Sequence, residues 1–535
     1  MMTRTLYYGG PILTMEQPLY AQALVTQGED ILYVGELEEA RTLAGPDARQ
    51  VNLERRCLMP AFVDPHSHLA ACANALLQAP LGECVTQEEI CKRMSDFVRD
   101  SGAKPGTWVM GAGYDQNNLV EGAPPDRWAL DRACPENPAV IQHASGHVGV
   151  FNSLALEQLG VGEDTPCPDG GVMERDGEGR LTGYMEENAF LTLLGRAPMS
   201  DASKFLEAFS TAQKQYAARG ITTVQEGMFP RQLAPLYHQL LEHQLLKLDV
   251  VAYADGADPA LAEEFADYVG GYRRNFKLGG FKIFLDGSPQ GRTAWMREPY
   301  AGEADYRGYP TLTDEQVYER VRMAGEKHMQ LLAHCNGDRA AQQYLDALER
   351  AAGEGKCPPR PVMIHAQLLG RDQLERVRKL GVIPSFFVAH VYHWGDVHVK
   401  NFGLERAEHI SPAGSALAQD IPFTFHQDAP VIKPDMLETV WCAASRLTRS
   451  GRLLGEDERI PVLEALRAVT VNAAWQYFEE ERKGSLRPGK RADLVLLSAD
   501  PLAVPPEEIR EIQVLETIKA GETIYQSENE GGPRA

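Results

Sequence analysis

No apolar run in these 535 residues approaches the roughly 20 that a membrane span needs. A spanning protein is thereby excluded, and the chain reads as soluble with no membrane partner. Blocks of lysine and arginine are also missing. With 53 Lys and Arg against 75 Asp and Glu, the formal net charge is −22, and so acidic a surface repels phosphate backbones. Nucleic acid is not an expected partner. There is no Cys-x-x-Cys pair: the nine cysteines are scattered singly, a pattern that fits reduced thiols better than a disulfide framework. The segment Met1 to Tyr8 lacks the apolar stretch and small-residue cleavage site of a secretory signal. Cytoplasmic residence is the expectation.

What is present is enough for a large core. Hydrophobic residues make up 44% and charged residues 24%, ordinary for a globular protein, and the length calls for one large domain with additions or for two to three units. Short β-rich segments punctuated by Gly, Pro and Asp fill residues 3 to 57, and similar ones recur near Gly484 to Leu497 and Val514 to Gly521. Neither set is a stable sheet alone. The two ends are expected to complete one another as a composite β-sandwich domain, residues 1–57 with 484–527, followed by a frayed tail at 528–535.

Between them apolar strands alternate with helical stretches, the pattern of a parallel sheet with crossover helices. Eight strands are expected: Ala61–Asp64, Ile221–Glu226, Leu248–Tyr253, Gly280–Leu285, Gln330–His334, Val362–His365, Val382–Phe386 and Pro422–Asp428. Eight closes a (β/α)8 TIM barrel, with helices expected over Thr313 to His328 and Arg371 to Leu380 among others. The barrel takes residues 58–69 and 201–483. Residues 70–200 are too long for one βα loop and leave directly after the first strand, on the face where such loops build active sites, so they are expected to form a lid or pocket wall. Counting Ala139–His143 as a ninth barrel strand is the competing parse.

Polar side chains collect at the expected strand ends. His66 and His68, two apart after an apolar run, project to one side of a strand end and can meet one ion, since imidazole and carboxylate groups are the usual ligands of zinc. Lys282 lies in the fourth strand, His334 ends the fifth, His365 the sixth and Asp428 the eighth. Glu226 ends the second. Cys335 sits beside His334 and reads as a small buried residue.

The stretches Met59 to His68, Gly220 to Glu226, Phe281 to Ser288, Ala333 to Asp338, His426 to Val431 and Gly489 to Val495 resemble, in this order, the amidohydrolase superfamily of metal-dependent hydrolases. The detail is similar to its branch of N-substituted formamide deformylase-like proteins. The resemblance spans nearly the whole chain. It implies a divalent metal, most readily zinc, as one or two ions held by His66, His68, His334, His365 and Asp428, with Lys282 as a carboxylated bridge. An ammonium has no lone pair, so Lys282 is either carbamylated, with Glu226 as rival bridge, or outside the ligand shell, paired with Asp286 or Glu226. The expected reaction is hydrolysis of a C–N bond, amide or N-formyl-like, by metal-activated water, Asp428 moving the proton. A deaminase or cyclic-amide hydrolase would use the same ligands, and a non-catalytic metal-binding or regulatory protein the same scaffold. Tyr114, His143 and His147 in the inserted segment, Asp286, Arg292 and Trp295 after the fourth strand, and His390 after the seventh are candidate contacts to a small-molecule substrate; a homodimer is compatible with this reading.

Overall fold

The computed structural model describes residues 4–198 and 202–528; the tail expected at 528–535 lies almost wholly outside the described residues. The eight barrel strands are β1 (Phe62–Val63), β2 (Ile221–Phe229), β3 (Asp249–Asp255), β4 (Phe276–Phe284), β5 (Gln330–Cys335), β6 (Val362–His365), β7 (Ile383–Phe386) and β8 (Thr424–Phe425). All seven ladders between them are parallel, each strand pairing with the next in sequence. Past the two edge strands, His68 N–H donates to Ala429 O (2.9 Å), so the first and last strand ends meet. This is a TIM-like barrel. The strands are readable because a parallel sheet covered on both faces is written as nearly continuous apolar residues. Val250, Val251, Ala252, Leu331, Leu332, Ala333, Met363 and Ile364 are all buried.

Helices cross back between the strands as their patterns require. Asp314–Glu326 joins β4 to β5, its start fixed by a capping box in which Thr313 Oγ1 accepts from Gln316 N–H and the Gln316 side chain accepts from Thr313 N–H. Leu374–Leu380 joins β6 to β7 and stops at Gly381, whose φ of +64° ends the helix in the left-handed region.

Strands from both chain ends share one eight-stranded sheet. Val514–Lys519 and Glu522–Gln526 pair through Leu494–Leu497 to Cys57–Pro60, and onward to Arg4–Leu13, Tyr20–Gln27 and Asp30–Gly35. The inserted residues form a separate six-stranded mixed sheet that includes Ala139–His143, so that strand lies outside the barrel. All nine cysteines are free thiols, with Cys335 buried. No helix among the described residues is long and apolar enough to cross a membrane.

Candidate metal centre

The β1 ladder stops at Val63, and specific hydrogen bonds shape the turn that follows. Asp64 Oδ1 accepts from His66 N–H (3.2 Å). Ser67 O accepts from Gly227 N–H (2.8 Å). A Cβ at Gly227 would come 2.7 Å from His66 Cε1, so only glycine lets β2 pass this close. His66 is buried, and its Nδ1 lies 2.6 Å from Gln225 Oε1. The Gln225 amide in turn donates to Pro65 O (2.8 Å) and Tyr477 OH (2.9 Å). With the amide orientation fixed by those two acceptors, Oε1 is left to accept from Nδ1–H, and the His66 Nε2 lone pair faces the site, 3.3 Å from Lys282 Nζ.

Five of the expected ligands converge there. The ligand atoms of His66, His68 and Asp428 lie within 4.8 Å of one another. Asp428 Oδ1 is 3.3 Å from His66 Nε2 and 3.2 Å from His68 Nε2, while Oδ2 is 3.8 Å from His365 Nε2. His365 Nε2 is 3.2 Å from His334 Nδ1. Burial would raise the Asp428 carboxyl, but the closeness of His66 and His68 more than offsets it and holds the group well below the usual carboxylate range. Burial, then the neighbouring Lys282, pushes His66 down to about 4; burial does the same more strongly to His334 and His365. Neutral imidazoles around an ionised carboxylate are the protonation states a divalent metal needs. The fit is supported by Asp428 Oδ1, a buried oxygen that accepts no hydrogen bond from any described residue although two imidazole nitrogens stand beside it.

Lys282 is fully buried, its Nζ 3.3 Å from His66 Nε2, and burial brings its amine down to about 7. It is not paired with Asp286 or Glu226, correcting one of the readings above. Asp286 is committed to three backbone donors, Asn336 (2.9 Å), Gly337 (2.7 Å) and Trp295 (3.0 Å). Glu226 Oε2 accepts from Ala70 N–H (2.8 Å) and Tyr237 OH (2.7 Å).

The other expected contacts spread over the loop face. His147 Nδ1 is 2.8 Å from Glu187 Oε2, and its ring centroid lies 4.9 Å from that of His334. Burial would lower its basicity, but Glu187 outweighs this and raises it. His143 sits 5.4 Å from the buried Tyr114 ring, between Ser145 Oγ and Asp115 (Nε2 to Oδ1 3.4 Å). His390 shares a hydrogen bond with His398 (3.0 Å) and packs on Trp394. Arg292 is taken by Glu303 (2.8 Å) and Tyr300, and the Trp295 ring by Arg339.

Three residues escaped the sequence reading. Gln225 orients His66 as described. His426 Nε2 lies 3.1 Å from His365 Nδ1 and its Nδ1 2.9 Å from Ser385 Oγ, fixing the ring that His365 turns to Asp428. The sequence held this signal in its spacing, since His426 stands two residues before Asp428 at the expected end of the eighth strand. Glu187 had no such marker.

The amidohydrolase family matches residues 49–525. The chain belongs to it. An N-substituted formamide deformylase from Arthrobacter pascens is 28% identical over 529 residues, covering 95% of each chain. Protein LONG AFTER FAR-RED 3 of Arabidopsis thaliana is 28% identical, covering 96% of this chain and 90% of the relative. A solved metal-dependent hydrolase from Pyrococcus horikoshii OT3 superimposes with a TM-score of 0.77 at 25% identity, over 94% of this chain and 99% of that one. This amidohydrolase is therefore a hydrolytic enzyme acting on carbon–nitrogen bonds other than peptide bonds, and its donor cluster suits a divalent metal.

Proposed function

We propose that this amidohydrolase cleaves a small amide of the N-formyl type, with zinc as its ion. The observation that carries the reading is the convergence of His66, His68 and Asp428 on one point, with His365 and His334 continuing the same line of donors. His66, His68, His334, His365 and Asp428 hold the metal, which when bound supplies a water acidic near neutrality and polarises the scissile carbonyl. Asp428 takes the water's proton and delivers it to the leaving nitrogen. Lys282, were its neutral amine to take up carbon dioxide and release one N–H proton to solvent, would offer the carbamate that the family resemblance implies as a metal ligand; burial, which depresses its basicity, favours that neutral amine. Residues 70–200 act as the lid, contributing Tyr114, His143 and His147 to the pocket wall, while Asp286 and Trp295 shape the loop after β4 and His390 that after β7. Residues 1–57 with 484–527 make the companion domain.

The test is turnover of N-substituted formamides, cyclic amides and aminopurines with and without zinc, comparing wild type with Asp428→Asn. Formamide turnover that requires metal, and a fall of about 10²-fold or more in Asp428→Asn with substrate affinity little changed, is the expected result. Preferential turnover of the cyclic amides or aminopurines would sink the formyl assignment. A loss below about tenfold would move the proton-transfer role elsewhere.

A further inference from the structure

The inserted segment sends one side chain onto the metal-ligand cluster. His147 lies with its ring centroid 4.9 Å from His334 and 5.9 Å from Phe284. Its backbone carbonyl accepts from Glu187 N–H (2.8 Å) and its Nδ1 meets Glu187 Oε2 (2.8 Å), so one residue grips both ends of it. Nε2 makes no hydrogen bond with any described residue. Glu187 is itself buried and held at φ +48°, a left-handed conformation that is strained outside glycine. Its second oxygen, Oε1, accepts from Thr293 OH (2.8 Å) in the loop after β4. A Cβ at Gly287 would come 2.2 Å from that oxygen, so the loop is thinned to admit the carboxylate. Strain, full burial and a cleared space are spent on holding one imidazole.

We propose that His147 Nε2 is a direct contact to an oxygen of the substrate's reacting carbonyl, and that Glu187 is the residue that positions it. This deepens the function proposed above and rests on it for where the substrate lies. With Nδ1–H given to Glu187, Nε2 of the neutral ring accepts from a hydroxyl formed on the reacting carbon, and Nε2–H of the doubly protonated ring donates to a carbonyl oxygen or an oxyanion there. The same residues fasten the insertion to the loop after β4, so docking the cover and presenting the contact are one event.

Methylphosphonate, a tetrahedral oxyanion, is the probe. Its affinity for the full-length zinc-loaded protein is measured by calorimetry, with zinc content measured alongside. His147→Leu is expected to weaken binding about tenfold or more, the loss of one bond to a charged group. His147→Gln, whose amide keeps a donor and an acceptor, is expected to stay within about threefold of wild type, and Glu187→Gln to fall between, all with unchanged zinc. Equal affinity in His147→Leu, an equal loss in His147→Gln, zinc loss in either, or no binding to wild type each overturns the proposal. Because phosphonate binding is read without turnover, failure of the formamide panel would reject the substrate assignment and leave this contact to be judged on the binding data.

Discussion

Lys282 shows how a single side chain can be costly to the fold and useful to the site. Its amine is fully buried and makes no ion pair among the described residues, and burial lowers its pKa from 10.5 to about 7. Between those values the unfolded chain binds a proton that the native state does not, so stability rises with pH across that window, and the penalty is complete below about 7. Lys282→Met in metal-free protein is therefore expected to gain stability, on the order of a few kcal/mol at pH 7, with the gain shrinking toward pH 10.5. Denaturant unfolding at both ends of the window checks it; equal gains at the two would show that charge burial is not the cause. His68→Ala makes the complementary case, since it removes a ligand from a frame that Gln225 and the β1 turn hold independently. It should keep the fold and lose divalent metal in equilibrium dialysis, and full metal occupancy would remove His68 from the ligand set. His68 was legible in sequence through its two-residue spacing from His66, and Lys282 through its place in the expected fourth strand together with the family resemblance. Gln225 and His426 lay in the same expected strands, but their task, holding another ring by a hydrogen bond, has no signature in residue type.

At the scale of elements, the inserted sheet meets the barrel through discrete polar ties. Trp394 Nε1–H, on helix His390–Phe402 after β7, donates to Asp115 Oδ2 (2.8 Å); Thr293 OH donates to Glu187; Tyr309 OH donates to Glu186 Oε2 (3.2 Å). Sequence placed the insertion on this face because it leaves after His68. It did not give the ties, since Asp115 and Trp394 are 279 residues apart and neither belongs to a local pattern. Trp394→Phe keeps the ring's packing while taking one donor from a buried carboxylate, which ordinarily costs about 1–3 kcal/mol. Faster amide exchange is expected in Val109–Asn118, with β4 and β5 as protected as before. Uniform exchange across both would show that this tie does not hold the cover.

The whole molecule is joined at the opposite side of the barrel by buried charges. Lys483 Nζ contacts Asp249 Oδ2 (2.6 Å), Glu479 Oε2 (2.7 Å) and Thr223 Oγ1 (3.0 Å). Lys519, in the terminal sheet, contacts Asp249 Oδ1 (2.9 Å), and Lys277 pairs with Glu479. Asp249 and Glu479 thus each face two lysines, linking the start of β3, the start of β4, the segment after the last barrel helix and a strand of the terminal sheet. The barrel was legible because its strands are apolar runs in sequence order, and the shared terminal sheet because two sets of short strands each lacked a partner. The network was not, since a lysine in Gly484 to Asp493 or its neighbours reads as surface until partners from three other segments surround it. Burial would lower Lys483, yet Asp249, then Glu479, overcome it and raise the amine above its usual range, so the group is charged in both states at neutral pH and its worth lies in pairing. Lys483→Met leaves Asp249 and Glu479 each with one lysine in a dry setting, the kind of break that costs about 3–5 kcal/mol. The expected outcome is a lower denaturant midpoint, with loss of the terminal sheet and loss of barrel structure occurring in one transition. Two separated transitions in the wild type, or an unchanged midpoint in the variant, would show that the terminal sheet and the barrel stand without this joint.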